Sequence, residues 1–337
     1  MESLHNRSAI DVHVHFHPAT AEFMADVMRA NHLSAVVNLG VLERLDMPYD
    51  DGMQIYRRAL GDRMVYFCTP DFGDTSPGFG ERMAADLERK VAGGACGLKI
   101  FKELGLRHTD ADGRLIPVDD ARLDPLWARA GELGVPVLIH TADPVAFFQP
   151  LDQGNERWEE LQRHPDWHFG RPEFPGHDTL LAQRNRVVER HAGTVFIGAH
   201  LGNFPENLAY VDGCLDRYSN LFVDTSARIG EIGRHPVERV RAFFAKHQDR
   251  VLFGTDLVLG WDAFEETGEG AGQERMAELR RFYDGHWRFF ETDDPQIEYP
   301  GFPVQGRWTV DALGLPDDVL EKLYTLNAQR LIPGLRR

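Results

Sequence analysis

The 337-residue chain is predicted to fold as an α/β protein, a (β/α)8 TIM barrel with insertions after strands 5 and 8. Three observations predict it. Eight short runs rich in β-branched and other apolar residues recur along the sequence, and they are continuously apolar, as strands covered on both faces must be. Segments of helical spacing separate them. Ionisable residues gather at the carboxyl ends of several runs, the rim where a barrel of this kind carries its chemistry.

In order, the runs are AIDVHVHF (9–16), SAVVNLG (34–40), MVYFCTP (64–70), CGLKIF (96–101), PVLIHT (136–141), TVFIGAH (194–200), NLFVDTS (220–226) and RVLFGTD (250–256). The intervening GERMAADLERKVAG (80–93), LDPLWARAGELG (123–134) and LLAQRNRVVERHAG (180–193) each close on glycine, where a helix end favours a left-handed residue. PDDVLEKLYTLNAQRLI (316–332) reads as a closing amphipathic helix with proline in its first turn. A bare barrel takes about 250 residues. Excursions after the fifth strand (142 to 177) and the eighth (257 to 308) hold the excess, so one domain over 1–337 is expected. If the first excursion is only a lid, its removal should spare the barrel.

A formal charge of −16, from 53 acidic against 37 basic side chains, repels phosphate backbones and anionic lipid. Neither nucleic acid nor membrane is an expected partner; a small-molecule substrate is. Cys68, Cys96 and Cys214 lie in apolar stretches without CxxC spacing and read as reduced thiols, which favours a cytoplasmic setting. The start MESLHNRSAI lacks the pattern of a signal peptide, and eighteen uninterrupted apolar residues occur nowhere.

His13 and His15 share one face of the first strand, with roughly 7 Å between their Cα atoms, close enough for two imidazoles to meet on one cation. His17 has the same parity but abuts Pro18, and reads as a bystander. His140, His200 and Asp256 end the fifth, sixth and eighth runs. Alone, His140 reads more readily as a core histidine bonded to a neighbouring carbonyl, and Asp256 can be read as a helix N-cap. Together at one rim, imidazoles and a carboxylate suit Zn2+ or a similar divalent ion and leave an open position for water; manganese accepts the same set.

DVHVHFHP, VLIHTADP, IGAHLGNFPENL, NLFVDTSAR and LFGTDLVLG, in this order and spacing, resemble the amidohydrolase superfamily, in particular its branch of aromatic-acid decarboxylases and related hydrolases. The resemblance spans nearly the whole chain. It implies His13 and His15 as first-strand ligands, His140 as the fifth-strand ligand, His200 as ligand or proton-transfer histidine, and Asp256 as ligand and base. GLKIFKELG resembles the segment in which a lysine is carboxylated and bridges two metals, and Lys99 is the matching position. One ion or two would then be held. The alternatives are a Lys99 that neutralises nearby carboxylates, or a Lys102 turned inward by a bulge. The likeness also suggests a homo-oligomer.

Two reactions fit the constellation. In the first, a metal-dependent hydrolase activates water against an amide, ester or lactone, with Asp256 moving the proton and His200 meeting the oxyanion. In the second, a non-oxidative decarboxylase orients an aromatic or related unsaturated acid, and His200 or Asp256 protonates the ring carbon. The hydrolase is favoured because Lys99, His140 and His200 complete a two-metal set. A silent binding barrel is the weakest reading, since every ligand position is filled. Phe147, Phe148, Trp158, Trp167, His168 and Arg171 in the first excursion, and Trp261, Phe282, Tyr283, Trp287, Arg288, Phe289, Phe290 and Trp308 in the second, suit a ring-bearing substrate, although most aromatics at such spacing pack the core. Arg228 is placed to meet an anion, either a substrate carboxylate or Glu231. With Lys102 it completes the substrate-binding candidates.

Overall fold

A computed structural model describes residues 7–259 and 271–335; Trp261 lies outside them. The eight runs form the strands β1 (Ala9–Phe16), β2 (Leu33–Leu39), β3 (Met64–Cys68), β4 (Gly97–Ile100), β5 (Val137–Ile139), β6 (Phe196–Gly198), β7 (Leu221–Asp224) and β8 (Val251–Leu252), followed by β9 (Leu257–Leu259). Every pairing is parallel, and the order is β8-β7-β6-β5-β4-β3-β2-β1-β9. β8 and β9 are two halves of one interrupted eighth strand. The Val12 N–H donates to Phe253 O (3.0 Å) and the Asp256 N–H to His13 O (2.8 Å), which closes the sheet on itself as a TIM barrel.

Gly254 lies in the interruption. A Cβ there would stand 3.0 Å from the Cβ of His13, so a larger residue would push the two strands apart by a few tenths of an ångström. Two residues on, Asp256 adopts φ +63°, which no ladder residue can hold. The backbone therefore leaves the sheet where its carboxylate must turn toward the mouth.

Side chains pack in two shells. Ile10, Val12, Val37, Phe67, Leu138, Ile197 and Leu252 fill the barrel, and Ala328, Ile332 and Leu335 plug its floor. The closing helix comprises Asp317–Glu321, a π-helical turn Lys322–Leu326 and Asn327–Leu331, and the Phe253 N–H donates to Leu323 O. Outside the strands, Phe16, Met24, Trp127 and Val187 belong to the larger shell between sheet and helices. Each such side chain contributes about 1.5–3 kcal/mol by leaving water. Of the three glycines expected at helix ends, Gly134 is left-handed (φ +66°); after Phe79–Ala92 the left-handed residue is Gly94 (φ +105°), one beyond Gly93, and Gly193 is not left-handed.

β1 shows how a strand can serve both the core and the rim. Ile10 and Val12 point into the barrel, which by strict alternation would send His13 outward. A register shift between Asp11 and Val14 in the pairing with β2 breaks the alternation, so His13 and His15 face inward above Val12 while Val14 and Phe16 join the outer shell.

The first excursion is not a detachable lid. Phe147, Leu161 and Phe169 belong to the main core cluster. Arg157, 1% exposed, bonds Glu160 at 2.8 Å and also Glu231 beyond β7, tying the excursion to the barrel. In the second, the helix Ala271–Glu291 buries Leu279, Tyr283, Trp287, Phe289 and Phe290. No helix among the described residues is long and apolar enough to cross a membrane. Leu161→Ala is expected to cost about 2–5 kcal/mol in urea unfolding, and a chain lacking residues 142–177 should show no cooperative melt. A deletion variant melting like the parent would contradict this packing.

Candidate metal centre

The inward face of β1, the end of β4, and the loops after β6, β7 and β8 meet at the barrel mouth. The His13 Nδ1 lies 2.9 Å from Asp224 Oδ2, the His15 Nδ1 2.8 Å from Leu39 O, and the His200 Nδ1 2.9 Å from Ser226 O. Carbonyl and carboxylate oxygens only accept, so each ring keeps its proton on Nδ1 and presents an Nε2 lone pair. The His13 and His15 Nε2 atoms stand 3.3 Å and 3.4 Å from Asp256 Oδ1. His13, His200 and Asp256 offer ligand atoms that all fall within 4.8 Å of one another. Unprotonated imidazole nitrogens facing a carboxylate, each held from behind by a fixed oxygen, fit a divalent ion.

Electrostatics supports the same protonation. Burial, with the Lys99 charge, pushes the His13 pKa down to about 4. Burial, then the charges of His140 and Arg228, hold His200 well below its usual range. Burial alone would raise Asp256, but positive charge on the facing His13, a hydrogen bond from His15 and charge on His200 would outweigh it and hold the carboxylate well below its usual range; with those rings neutral, a bound cation would supply that charge instead. Asp224 is likewise ionised: burial is overcome by His13, His200 and the Ser226 hydroxyl.

Lys99 points inward from β4, fully buried, and its Nζ donates to His13 Nε2 at 3.2 Å. Burial lowers its pKa to about 8 against the pull of Asp256, Asp224 and Glu103, so the ammonium form dominates at neutrality and about a tenth is free amine at pH 7. Lys102 is not the inward lysine. It sits on the rim, 2.5 Å from Asp143 Oδ2 and 4.7 Å above the Trp167 ring. His140 lies close, its ring centroid 4.4 Å from that of His200, but its Nε2 is 3.2 Å from Asp143 Oδ1 and faces that carboxylate. His17 stands apart and caps the turn at Pro18–Thr20 by accepting the Ala19 N–H.

Arg228 is 6% exposed and donates to Ala227 O at 2.7 Å. Its alternative partner, Glu231, is bonded by Arg157 instead. Among the described residues no carboxylate pairs with Arg228, which lines a cavity of about 510 Å3 over the centre. That cavity has an aromatic wall of Phe101, Phe147, Trp167 and Phe282, and a polar one that includes Lys102, Asp143, His200 and Asp256. Of the aromatics singled out in the two excursions, only Phe147, Trp167 and Phe282 line it; the others described pack elsewhere.

Strain concentrates at this rim. Among non-glycine residues, His200, Leu201, Asn203, Ala227 and Asp256 all have φ between +52° and +63°, conformations costing of order 1–3 kcal/mol each. Asn203 repays part by accepting the Thr141 N–H at 3.1 Å.

Several participants escaped sequence reasoning. Asp224 and Ser226 were visible as polar strand-end residues in NLFVDTS, yet nothing in the sequence ties them to His13 and His200. Asp11 takes the His13 N–H (3.1 Å), the Thr255 hydroxyl (2.6 Å) and the Tyr283 hydroxyl (2.9 Å), joining β1, the β8 break and the helix Ala271–Glu291. Burial, opposed by these bonds, raises its pKa to about 7. His286, on that same helix, also lines the cavity. A second group, Asp212, Asp216 and His247, has its carboxylates bonded by Lys246, whose Nζ is 2.7 Å from each.

A family model described as amidohydrolase matches residues 10–334. Among solved structures, an amidohydrolase from Staphylococcus aureus is 15% identical with TM-score 0.56, covering 97% of this chain and 99% of that one. A 2,6-dihydroxybenzoate decarboxylase in complex with 2,6-dihydroxybenzoate is also 15% identical, with TM-score 0.54 and the same coverage. An amidohydrolase II is 11% identical with TM-score 0.53, covering 96% of this chain and 99% of that one. At these identities the likeness is one of fold. No curated protein sequence matches the chain.

Asp224→Asn should weaken zinc binding about 10–100-fold in chelator competition, because His13 loses the anion that fixes its ring; unchanged affinity would contradict that role. A second test uses pH. The His286 pKa is lowered by burial to about 4, so between pH 6.5 and 4 the unfolded chain takes up a proton that the native one refuses. Stability at this site is complete above 6.5 and lost as pH falls toward 4. Relative to wild type, His286→Phe should remove about 3 kcal/mol of that acid sensitivity, read from urea unfolding at the two pH values; parallel curves would refute it.

Proposed function

The chain belongs to the amidohydrolase family, and from that premise we propose that it is a metal-dependent hydrolase acting on an amide, ester or lactone of a small, ring-bearing substrate with an anionic group. The observation that carries the reading is the tautomer set: His13, His15 and His200 each spend the Nδ1 proton on a fixed oxygen, His13 and His15 turn Nε2 toward Asp256, and His200 offers a ligand atom in the same cluster. His13, His15 and Asp256 would hold zinc or manganese, with His200 as a further nitrogen donor. When bound, the ion polarises the scissile carbonyl and acidifies a water in its open position.

The remaining chemistry falls to the chain. Asp256, ionised at rest, takes the water proton on its carboxylate and returns it to the leaving group. His200 has no Nε2 proton to give an oxyanion, and burial opposes its gaining one, so it acts as a nitrogen donor rather than an acid. Arg228 binds the substrate anion, and Lys102, held by Asp143, adds a cation to the polar wall of the cavity beside Trp167. Lys99 sets the ion count. As a free amine it leaves one ion; carboxylated, it would supply an anionic bridge to a second held by His140 and His200. The reading takes residues 1–337 as one cytoplasmic domain, with a homo-oligomer as the expected assembly and neither nucleic acid nor membrane as partner.

Decarboxylation of an aromatic acid is the second reading, favoured by the unpaired Arg228, which suits a substrate carboxylate equally well. It ranks lower because protonating a ring carbon begins with an acid, and at rest neither Asp256 nor His200 Nε2 carries a proton. The experiment measures metal per chain together with products from aromatic esters, lactones, amides and hydroxybenzoates. Acyl cleavage without CO2 is expected, with kcat lowered about 10²–10⁴-fold in Asp256→Asn. Release of CO2 with no acyl cleavage would hand the assignment to the lyase. Native mass of the loaded protein reports Lys99 separately: an unmodified amine with one ion removes the bridge and leaves the single-ion hydrolase standing.

A further inference from the structure

The helix Ala271–Glu291 brings to the cavity a side chain that the reaction leaves unused. His286 lines the same space as His200, Arg228 and Asp256, and only 2% of its surface is exposed. Its Nδ1 lies 2.8 Å from Phe282 O, one turn earlier. A carbonyl only accepts, so the ring proton is fixed on Nδ1, and Nε2 keeps a bare lone pair. No described group donates to that nitrogen. The adjacent phenol, Tyr283, has already given its proton to Asp11 Oδ2 at 2.9 Å. The rings of Phe253, Phe282 and Tyr283 surround the imidazole at centroid distances of 6.0, 4.7 and 6.3 Å, and in this apolar sheath it stays neutral. A fixed acceptor at a cavity wall favours a ligand that donates to it over one that covers it with an apolar group and leaves it unpaired.

We propose that His286 Nε2 is a specificity-determining acceptor, so that the cavity selects ring-bearing anions that also carry a hydroxyl or N–H donor. The inference rests on the reading of the cavity as a site for a ring-bearing anion held by Arg228, and adds the polar group that such a substrate must bear. A site built around a fixed acceptor rejects the analogue lacking the donor more strongly than an apolar pocket rejects a missing methylene. The donor and the anion need not be neighbours on the ring, because His286 and Arg228 come from separate elements.

The test compares benzoate, 3-hydroxybenzoate and 4-hydroxybenzoate binding to the metal-loaded full chain by titration calorimetry. In neither isomer can the hydroxyl chelate an ion together with the carboxylate, so a preference between acids does not come from the metal. At least one hydroxybenzoate should bind about tenfold more tightly than benzoate. His286→Phe should abolish that ratio while leaving benzoate within about twofold of the parent, His286→Gln, which retains an acceptor, should keep part of it, and Arg228→Met should weaken all three acids alike with the ratio intact. In the unmutated protein, the ring 15N resonance of His286 Nε2 should move on adding the preferred acid, a readout that survives even if the variants fold poorly. An equal ratio in wild type and His286→Phe, no preference in wild type, or an unmoved resonance would overturn the role of His286 and leave the anion site in place. Failure of all three acids to bind would overturn the aromatic-anion reading and this inference with it.

Discussion

The commitment of three imidazole protons to fixed oxygens is the constraint on which the centre depends. His13 gives its Nδ1 proton to Asp224, His15 to the Leu39 carbonyl and His200 to the Ser226 carbonyl. A free histidine samples both tautomers and many ring orientations; here the acceptors come from β2, β7 and the loop after β7, so the barrel itself decides which nitrogen is offered. Ser226 knits the arrangement together, since its hydroxyl donates to Asp224 and lies 2.9 Å and 3.0 Å from the Nδ1 atoms of His13 and His200. The three lone pairs are thereby aimed before any ligand arrives, and the cost of orienting them is met in folding.

Presenting those groups requires local departures from ideal barrel geometry. The register shift in β1 lets one strand fill the core with Ile10 and Val12 and still aim His13 and His15 inward. The gap between β8 and β9, which holds Gly254 and the left-handed Asp256, turns a carboxylate out of the ladder. Asp11 binds both irregularities into one unit through the His13 and Thr255 N–H groups. Strain at these positions is affordable because the surrounding shells are apolar and densely filled, leaving the rim nowhere to relax.

Much of this was legible in the sequence, and the exceptions have physical reasons. Strands buried on both faces read as plain apolar runs, and β1 spans the very residues its run predicts. The other runs are trimmed chiefly at their carboxyl ends, as with His200 and Asp256, because the rim residues leave the ladder to do chemistry. His13, His15, His200 and Asp256 could be foreseen from parity and strand-end position, and Lys99 only from the family resemblance of its segment. The partners of Asp11 could not, for Thr255 and Tyr283 lie 244 and 272 residues away. The turning of His140 Nε2 toward Asp143 is a choice of rotamer and neighbour that spacing does not encode. The first excursion, expected as a possible lid, proved part of the core because its Phe147, Leu161 and Phe169 are spaced too irregularly to announce a buried face.

The most direct test of the central claim is a zinc anomalous-difference map from crystals of the metal-loaded protein. The account predicts a peak at the barrel mouth within about 2.0–2.2 Å of histidine Nε2 atoms and the Asp256 carboxylate, with His13 still bonded to Asp224 through Nδ1. A map with no peak there, or ligation through the Nδ1 atoms, would contradict it.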